Sequence, residues 1–465
     1  MSAPATALVC AGCGAPAAAV PPPFRCARAV PGDGIDHLLR RWLDPEQIAY
    51  PLDGGESNPF LRYRTLLHAY HAARAAGESA EAFVARVARL DRAVAAVDGR
   101  GFRVTPFAAA DRLADALGLA AGRLWVKDET GNVAGLHKAR HLMGVLLALG
   151  DARGDAPSPR LAIASCGNAA LAAAVLARAA GRPLDVFVPP WANAQVVARL
   201  RSLRARITVC ERSPGVAGDP CYHRFQAAVA AGAVPFCCQG PDNGLTVEGG
   251  ATIAWEMLDA LGACALDRLF VQVGGGALAS ACALGFADAV RLGRLARSPR
   301  LHAVQAAGCH PLARAYDRLL TRLLARLPPA PGGAEARADF VLAHASPELL
   351  RGELAYAAAH RSEFMWPWES APRSIATGIL DDETYDWLAV VAAMLATGGY
   401  PLVVDDATLA TANALGRETT GIDADETGTA GLAGLMQALA AGASLVDDTV
   451  AILFTGARRG GPPAG

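Results

Sequence analysis

The chain has 465 residues, with 43 Lys and Arg against 44 Asp and Glu, which leaves a formal net charge of −1 at pH 7. A chain of this length can form two or more domains. Because the positive and negative charges nearly cancel, the protein lacks the strongly charged field that favours binding to nucleic acid or an anionic membrane. We therefore expect a small molecule as the ligand, and neither a nucleic-acid partner nor a membrane partner.

The first 40 residues are rich in Pro and Gly and poorly periodic, but they contain a cysteine motif. Cys10-x-x-Cys13 together with Cys26 resembles half of a zinc ribbon. A structural zinc site takes four ligands, yet no second Cys-x-x-Cys follows, and His37 is the one residue nearby that offers a replacement. We expect a degenerate remnant without metal, and a site completed by His37 is the alternative.

Two regions of different periodicity follow. Apolar residues recur at helical spacing over 58–98, which predicts a helical extension and makes 1–100 an N-terminal region. From 101 to 460, apolar runs alternate with helical stretches, the pattern of an α/β fold with mostly parallel sheets and helices on both faces. The clearest strands are predicted at 161–164, 184–189, 207–210, 269–273 and 449–454.

The most informative segment of the second region is KDETGNVAGLHKAR, residues 127–140. It places Lys138 just after a glycine turn, at the predicted start of a helix and among polar residues. A solvated surface position is the ordinary interpretation of a single lysine. Three downstream loops, each next to a predicted strand, favour instead a lysine that forms a Schiff base.

Each of these loops supplies a different group. Ser165-Cys166-Gly167-Asn168 begins an alanine-rich helix and offers backbone N–H groups and a side-chain amide. Gly274-Gly275-Gly276-Ala277 lets the main chain approach a phosphate at a helix N-terminus, and neither a Walker motif nor Gly-x-Gly-x-x-Gly indicates a nucleotide. Thr455 brings a hydroxyl to the end of the last strand. Taken singly, each loop is also explained as a helix cap or a turn.

In this order the motifs resemble those of the fold-type II pyridoxal-phosphate enzymes, which include threonine synthase, serine/threonine dehydratase, cysteine synthase and the tryptophan synthase β subunit. The resemblance covers residues 101 to 459 and includes Thr105-Pro106-Phe107 at the start of the domain. Two further segments are most similar to threonine synthase and the dehydratases: Glu248-Gly249-Gly250-Ala251-Thr252 with Glu256, and Ser374-Ile375-Ala376-Thr377-Gly378. Some threonine synthases also carry an N-terminal Cys-x-x-Cys pair.

The resemblance implies two lobes, with a smaller lobe near 130–250 inserted into the larger one and pyridoxal 5′-phosphate between them. Lys138 then holds the cofactor as an imine and later removes the substrate α-proton. The resemblance also assigns a partner to each loop residue: the cofactor phosphate to Gly274, Gly275, Gly276 and Ala277, the phenolic oxygen to Asn168, the pyridine nitrogen to Thr455, and the substrate carboxylate to Ser165, Cys166 and Gly167. A neutral hydroxyl facing the ring nitrogen favours loss of a β-substituent over transamination.

Around the lysine the sequence departs from the family. Where the family usually has Ser-Phe-Lys-Asp, this chain has Leu136-His137-Lys138-Ala139. The missing hydroxyl and acid leave the choice of substrate open, but not the bond to the cofactor. His137 is a candidate proton carrier, but adjacent residues on a helix point in different directions, so we expect it to have a packing role.

The predicted function is a lyase that acts on a small hydroxy or β/γ-substituted amino acid by α-proton abstraction and elimination, like a serine/threonine ammonia-lyase. One alternative is threonine-synthase-like replacement, which needs cationic groups for a substrate phosphate, with Arg140, Arg373 and Arg458 as candidates. The other is a non-catalytic regulatory protein that binds the cofactor, favoured by the altered residues around Lys138.

Cysteine usage and the N-terminus predict the location. The eleven cysteines lie mostly in apolar runs, which suits reduced thiols, and the N-terminus has no basic-then-apolar signal pattern. We therefore expect a cytoplasmic enzyme with a small amino-acid substrate. Its oligomeric state stays open, with a homodimer as one candidate.

Overall fold

The computed structural model describes residues 4–17, 23–30, 32–52, 55–151, 158–212, 219–262, 264–445 and 447–458. The strands are Thr6–Cys10 (β1), Leu39–Leu43 (β2), Phe107–Ala109 (β3), Leu124–Asp128 (β4), Leu161–Ala164 (β5), Leu184–Val188 (β6), Arg206–Val209 (β7), Val234–Pro235 (β8), Arg268–Gln272 (β9), Arg300–Ala306 (β10), Leu402–Val404 (β11) and Val450–Phe454 (β12). The helices are Pro59–Arg62 (α1), His68–Ala75 (α2), Ala80–Asp98 (α3), Asp111–Ala116 (α4), Lys138–Leu149 (α5), Asn168–Ala179 (α6), Ala194–Ser202 (α7), Pro220–Ala230 (α8), Thr246–Leu261 (α9), Ala277–Arg291 (α10), Pro311–Leu324 (α11), Ala334–His344 (α12), Pro347–Ala359 (α13), Trp387–Thr397 (α14), Asp406–Thr420 (α15) and Ala430–Ala440 (α16).

Two mostly parallel sheets organise the chain after residue 100. The larger sheet has the order β11-β10-β9-β12-β4-β3, and only β3 runs antiparallel to its neighbour. The smaller sheet has the order β7-β6-β5-β8 and is wholly parallel. The predicted α/β class with mostly parallel sheets is therefore confirmed.

The smaller sheet interrupts the larger one in sequence. The chain leaves the larger sheet after β4, forms β5 to β8, and returns with β9. The apolar runs that predicted strands β5, β9 and β12 are buried along their length, except that Ala164 at the end of β5 is half-buried. The predicted division into two lobes stays a prediction, and the order of the strands is compatible with it.

Close contact between glycines fixes α5 against α9. A Cβ added at Gly249 would overlap the Arg140 carbonyl oxygen, and a Cβ at Gly144 would lie 2.9 Å from the Gly249 backbone. Only residues without a side chain allow the two helix backbones to approach this closely. Because Lys138 is the first residue of α5, this packing also fixes the position of the lysine.

The N-terminal region contains an antiparallel hairpin of β1 and β2, which the sequence did not predict, followed by the expected helices α1 to α3. Arg41 on β2 is buried and forms ion pairs with Glu248 on α9 and Asp288 on α10. The hairpin is therefore attached to the sheet-bearing part of the chain through buried charges. Within the described ranges, none of the helices combines the length and apolar character needed to span a bilayer.

Candidate active site

Three of the predicted loops follow adjacent strands of the larger sheet. The sheet order places β12 between β9 and β4, and the loops after these strands contain Gly274–Ala277, Thr455 and Lys138. Because the three strands are parallel, their carboxyl ends lie at one edge of the sheet. This edge is where open α/β sheets bind their ligands.

The chain has so few lysines that the residue able to form a Schiff base can be identified by comparing them. The sequence contains two lysines, Lys127 and Lys138. Lys127 is fully buried on β4, and its Nζ lies 2.5 Å from Oε2 of Glu256 and donates to the Thr105 carbonyl. Lys138 is half-buried, and no hydrogen bond holds its amine among the described residues. Lys138 is thus the available amine.

The turn before Lys138 is tied to the end of β12. Ala134 and Gly135 have φ values of +56° and +73°, a conformation that glycine adopts without strain and alanine does not. The Asn132 side chain donates to the Leu136 carbonyl, and the Ala457 N–H donates to the Gly135 carbonyl at 3.0 Å. These bonds hold the irregular turn and bring Lys138 close to Thr455.

The Thr455 hydroxyl contacts His137, the residue before the lysine. Its Oγ1 accepts the His137 backbone N–H at 3.2 Å and lies 2.8 Å from the His137 Nδ1. Burial holds the pKa of His137 well below its ordinary value, and the charges of His141, Lys138 and Arg140 lower it further, so the ring is neutral at pH 7. His137 packs edge-on against His141, as expected, and in addition bonds to Thr455.

A second histidine, one turn along α5, is also neutral. His141 is fully buried, its Nδ1 donates to the Thr246 carbonyl at 2.8 Å, and burial lowers its pKa to about 4. Its Nε2 has no hydrogen-bond partner in the part of the chain that the structure describes. Both imidazoles beside Lys138 are therefore uncharged and add no positive charge to the site.

The glycine loop between β9 and α10 is covered by a segment that the sequence analysis did not connect with it. The Thr384 hydroxyl donates to the Gly274 carbonyl at 2.9 Å, and the Asp386 N–H donates to the Gly275 carbonyl at 2.9 Å. The Asp381 carboxyl lies beside Gly274 and Gly275, since a Cβ added at Gly274 would overlap its Oδ2. Burial raises the pKa of Asp381, while the charge of Lys138 and the nearby Gly275 N–H lower it.

These contacts test whether the loop fits a phosphate. Side chains at Gly274 and Gly275 would overlap Asp381 and Tyr385, and Gly276 has a φ of +94°. The loop is therefore a cradle that only glycines can form, at the N-terminus of a long helix, with a carboxyl group beside it. Its geometry fits the phosphate of pyridoxal phosphate.

The Ser165–Asn168 loop follows β5 of the smaller sheet and begins α6. The Ser165 hydroxyl accepts the Gly167 N–H at 3.4 Å, and Asn168 is half-buried as the first residue of the helix. Burial raises the pKa of Cys166, so its thiol is protonated at pH 7. Helix α6 packs against both α5 and the 133–135 turn, which brings this loop to the side of the lysine.

Arg140 has a structural role, which corrects its inclusion among the candidate phosphate ligands. Its guanidinium is fully buried and bonds to Glu129 at 2.8 and 2.9 Å and to Glu256 at 2.5 and 3.1 Å. Burial alone would lower the pKa of Arg140, but the two carboxylates raise it. The other two candidates, Arg373 and Arg458, are exposed.

Two residues near Lys138 escaped the sequence analysis. Cys238 follows β8, and burial raises its pKa to about 11 although the charge of Lys138 opposes this shift. Asp381 lies three residues after the Ser374–Gly378 motif. Its position close to that motif could have identified it as a candidate site residue. Cys238 offered no signal, because a cysteine in an apolar run is normally a packing residue.

One of two large cavities lies beside the turn that precedes Lys138. One, of about 510 Å³, adjoins the lysine turn and is lined in part by Thr130, Gly135, Asn193 and Ala457. Another, of about 750 Å³, is lined by residues such as Arg314 and Trp368. None of the predicted site residues lines either cavity. The smaller cavity is thus the one next to the candidate site.

Comparison with protein families gives a match over most of the chain. A model described as "pyridoxal-phosphate dependent enzyme" matches residues 100–456. No curated protein matches the chain. The family match confirms the resemblance found in the motifs and, with it, the predicted cofactor.

Solved structures with the same fold are numerous and distant in sequence. Maize serine racemase is 18% identical, with a TM-score of 0.57 over 80% of this chain and 94% of its own. Threonine deaminase isoform 2 from Solanum lycopersicum is 14% identical, with a TM-score of 0.56 over 83% and 86%. Diaminopropionate ammonia lyase from Escherichia coli is 16% identical, with a TM-score of 0.56 over 88% and 93%. At such identities these likenesses show the fold.

Proposed function

Because the chain belongs to the family of pyridoxal-phosphate-dependent enzymes, we propose that it is a lyase that acts on a small hydroxy or β/γ-substituted amino acid. The reaction would be α-proton abstraction followed by elimination, as in a serine/threonine ammonia-lyase. The observation that carries this proposal is the position of Lys138. It is the available lysine of two, and it starts a helix at the sheet edge that also bears the phosphate-binding loop.

Each loop has a proposed role in binding. Gly274 to Ala277 would hold the cofactor phosphate through main-chain N–H groups, and Asn168 would bond the phenolic oxygen. Ser165, Cys166 and Gly167 would bind the substrate carboxylate at the start of α6. Bound pyridoxal phosphate supplies an electron sink for the bond that breaks at the substrate α-carbon.

Lys138 would hold the cofactor and, once its amine is free, take the α-proton on Nζ. This second task requires an uncharged amine. The uncharged rings of His137 and His141 lie beside Lys138, and the Asp381 carboxyl interacts with both Lys138 and the glycine loop. A proton held on Asp381 would therefore lie close to Lys138, the proposed base, and to the phosphate-binding loop.

Replacement chemistry like that of threonine synthase is the second candidate. It is supported by the Cys10-x-x-Cys13 start and by the segment from Glu248 to Glu256. Arg140, one of the three proposed ligands of a substrate phosphate, is ion-paired with Glu129 and Glu256. The loss of this ligand weakens the case for replacement chemistry. A regulatory protein without catalysis is the third candidate, and it rests on the unusual residues next to Lys138.

Release of ammonia and 2-oxo acid distinguishes these functions. The cofactor-loaded protein would be incubated with both enantiomers of serine, threonine and 2,3-diaminopropionate, and with O-phosphohomoserine as the replacement substrate. Ammonia release from one of the first three amino acids, absent in Lys138→Ala, supports the lyase. Phosphate release from O-phosphohomoserine alone supports replacement, and cofactor binding without any product supports the regulatory protein.

We also propose a cytoplasmic location, and a homodimer is one candidate for the oligomeric state. The eleven cysteines are all unpaired, which supports a reducing compartment. Thiol titration of the native protein and light scattering after gel filtration test the two proposals.

A further inference from the structure

Four candidate metal ligands lie together in the N-terminal region. The Sγ atoms of Cys10, Cys13 and Cys26 and a ring nitrogen of His37 all lie within 4.8 Å of one another. The Cys13 and Cys26 sulfurs are 3.6 Å apart, and the Cys10 sulfur is 3.4 Å from the His37 Nδ1. In a tetrahedral site with Zn–S of about 2.3 Å and Zn–N of about 2.0 Å, ligand atoms are separated by about 3.5 to 3.8 Å. The two observed distances are close to these separations.

We propose that Cys10, Cys13, Cys26 and His37 bind one Zn²⁺ as a structural site. From the sequence we expected no metal, because a second Cys-x-x-Cys is missing; in the structure His37 supplies the fourth ligand. Three thiolates and one imidazole complete a tetrahedral shell, so no position stays open for a substrate. Soft sulfur ligands in this geometry favour zinc over magnesium, calcium or manganese.

The local fold brings the ligands together from three places. Cys10 ends β1, Cys13 lies in the turn after it, and His37 lies just before β2. A Cβ at Gly12 would overlap Ile35 and the Asp36 backbone, so glycine is required where the two ends of the hairpin meet. The Cys26 sulfur accepts the Arg28 N–H at 3.4 Å, as expected of a thiolate ligand.

A carboxylate orients the histidine for this role. The His37 Nε2 lies 2.9 Å from Oδ2 of Asp33, and Asp33 is itself held by the N–H groups of Val30 and Ile35. A carboxylate accepts and does not donate, so the ring proton is on Nε2 and the lone pair is on Nδ1, which faces the cysteines. Metal-bound histidines typically have such a carboxylate partner.

The small size of the local core supplies a reason for a metal. Cys10, Ala15, Cys26 and Leu39 form a buried cluster separate from the main core, so little apolar area stabilises this part of the chain. Zinc binding contributes folding free energy where such a core is missing.

The proposed site lies next to residues that contact the catalytic part of the chain. The Gly244 N–H donates to the Phe24 carbonyl at 2.9 Å, the Asp36 N–H to the Ala358 carbonyl at 2.7 Å, and the Arg361 N–H to the Gly34 carbonyl at 2.7 Å. Arg25 also forms an ion pair with Asp242. Zinc would therefore hold the loop between β1 and β2, which contacts the segment before α9 and the end of α13.

The first test is elemental analysis of the full chain, purified without a polyhistidine tag or a metal column. We expect one zinc per chain in the wild type and at least a tenfold lower content in Cys13→Ser and Cys26→Ser. Cys264→Ser, which removes an exposed cysteine outside the cluster, is the matched control and should keep its zinc. Iron in place of zinc, no metal after growth in zinc-supplemented medium, or a Cys13–Cys26 disulfide would each overturn the proposal.

Asp33→Asn keeps all four ligands and tests the site if the cysteine variants do not fold. Removing the negative partner of His37 should weaken zinc affinity about 10- to 100-fold, measured by competition with a chromogenic chelator. Cobalt titration of the metal-stripped wild type should give the thiolate charge-transfer band and the intense visible bands of a tetrahedral ion. An octahedral cobalt spectrum, or equal zinc affinity in Asp33→Asn and wild type, would contradict the proposal.

Discussion

The Thr455 hydroxyl oxygen lies 2.8 Å from the Nδ1 of His137 and accepts the backbone N–H of the same residue. With its oxygen already accepting one hydrogen, the threonine has a single proton to donate. Either that proton goes to the imidazole, or His137 donates and the threonine proton is free for another acceptor. The proposed contact with the pyridine nitrogen therefore depends on the tautomer of His137.

The first prediction follows from this bond. Thr455→Val removes the hydroxyl and leaves a buried ring nitrogen without its partner, which costs about 1 to 3 kcal/mol in the free energy of unfolding. Thr455→Ser keeps the hydroxyl and should unfold like the wild type. Denaturant unfolding of the three proteins without cofactor measures the effect. Equal stability of Thr455→Val and wild type would show that the bond to His137 contributes nothing.

A carboxylate at the same position tests the ring contact. Thr455→Asp should raise the depressed pKa of His137, because a negative charge 3 to 4 Å away favours the imidazolium at roughly the scale of a few pKa units. If Thr455 also faces the pyridine nitrogen, the variant should form more transamination product and less elimination product. If an NMR titration shows a raised pKa of His137 while the product ratio is unchanged, position 455 contacts His137 but does not face the pyridine nitrogen.

The second prediction concerns the anchor for the cofactor. Borohydride should fix pyridoxal phosphate on Lys138 in the wild type and on no residue in Lys138→Ala, which should also lose turnover. Since the chain has two lysines and Lys127 is ion-paired with Glu256, peptide mapping gives a clear result. Label on the Lys127 peptide, or turnover that survives in Lys138→Ala, would refute the assignment.

The third prediction is a pH dependence at the glycine loop. Burial raises the pKa of Asp381, so the carboxylate is charged only above that raised value, and a charged carboxylate beside Gly274 and Gly275 repels a phosphate bound at this loop. Cofactor affinity should fall as pH rises through the pKa of Asp381. The dissociation constant should change about tenfold for each pKa unit by which bound phosphate raises Asp381 further.

Asp381→Asn should flatten this profile and bind the cofactor more tightly at alkaline pH. Asp382→Asn, which removes a neighbouring exposed carboxylate, is the matched control and should follow the wild type. Fluorescence titration with pyridoxal phosphate at several pH values gives the constants. Parallel profiles for wild type and Asp381→Asn would mean that Asp381 does not share the loop with the phosphate.

Local patterns predicted the strands and the loops that carry the proposed site. The strand at 161–164 has the predicted bounds, and α5 begins at Lys138 as the glycine turn indicated. Both signals lie within a few residues of the feature that they predict. Apolar runs and glycines restrict the nearby backbone directly, which is why the sequence alone was sufficient here.

Contacts between distant residues were not predictable in the same way. Lys127 and Glu256 are separated by 129 positions, and nothing near either residue indicates the other. The fourth candidate zinc ligand was ambiguous for a similar reason, since only the pairing of β1 with β2 brings His37 to Cys10. Asp381 reaches the glycine loop from more than 100 residues away in the sequence.

The last prediction concerns the buried network of Lys127, Glu129, Arg140 and Glu256. Arg140→Met removes one of two cations and leaves two carboxylates in a site that water does not reach, which should cost about 3 to 5 kcal/mol in the free energy of unfolding. Arg351→Met, in an exposed pair with Glu348, should leave stability nearly unchanged.

Acid sensitivity identifies the cause of this loss. Burial alone would raise the pKa of Glu256, but Arg140 and Lys127 lower it below its ordinary value. A carboxyl group with a lowered pKa in the folded state stabilises the protein above its unfolded pKa, and the stabilisation is lost as pH falls through the folded value. Arg140→Met should raise the folded pKa of Glu256, so acid unfolding should begin at a higher pH than in the wild type. If both proteins unfold over the same acid range, the cost of the substitution comes from packing and not from the charge on Glu256.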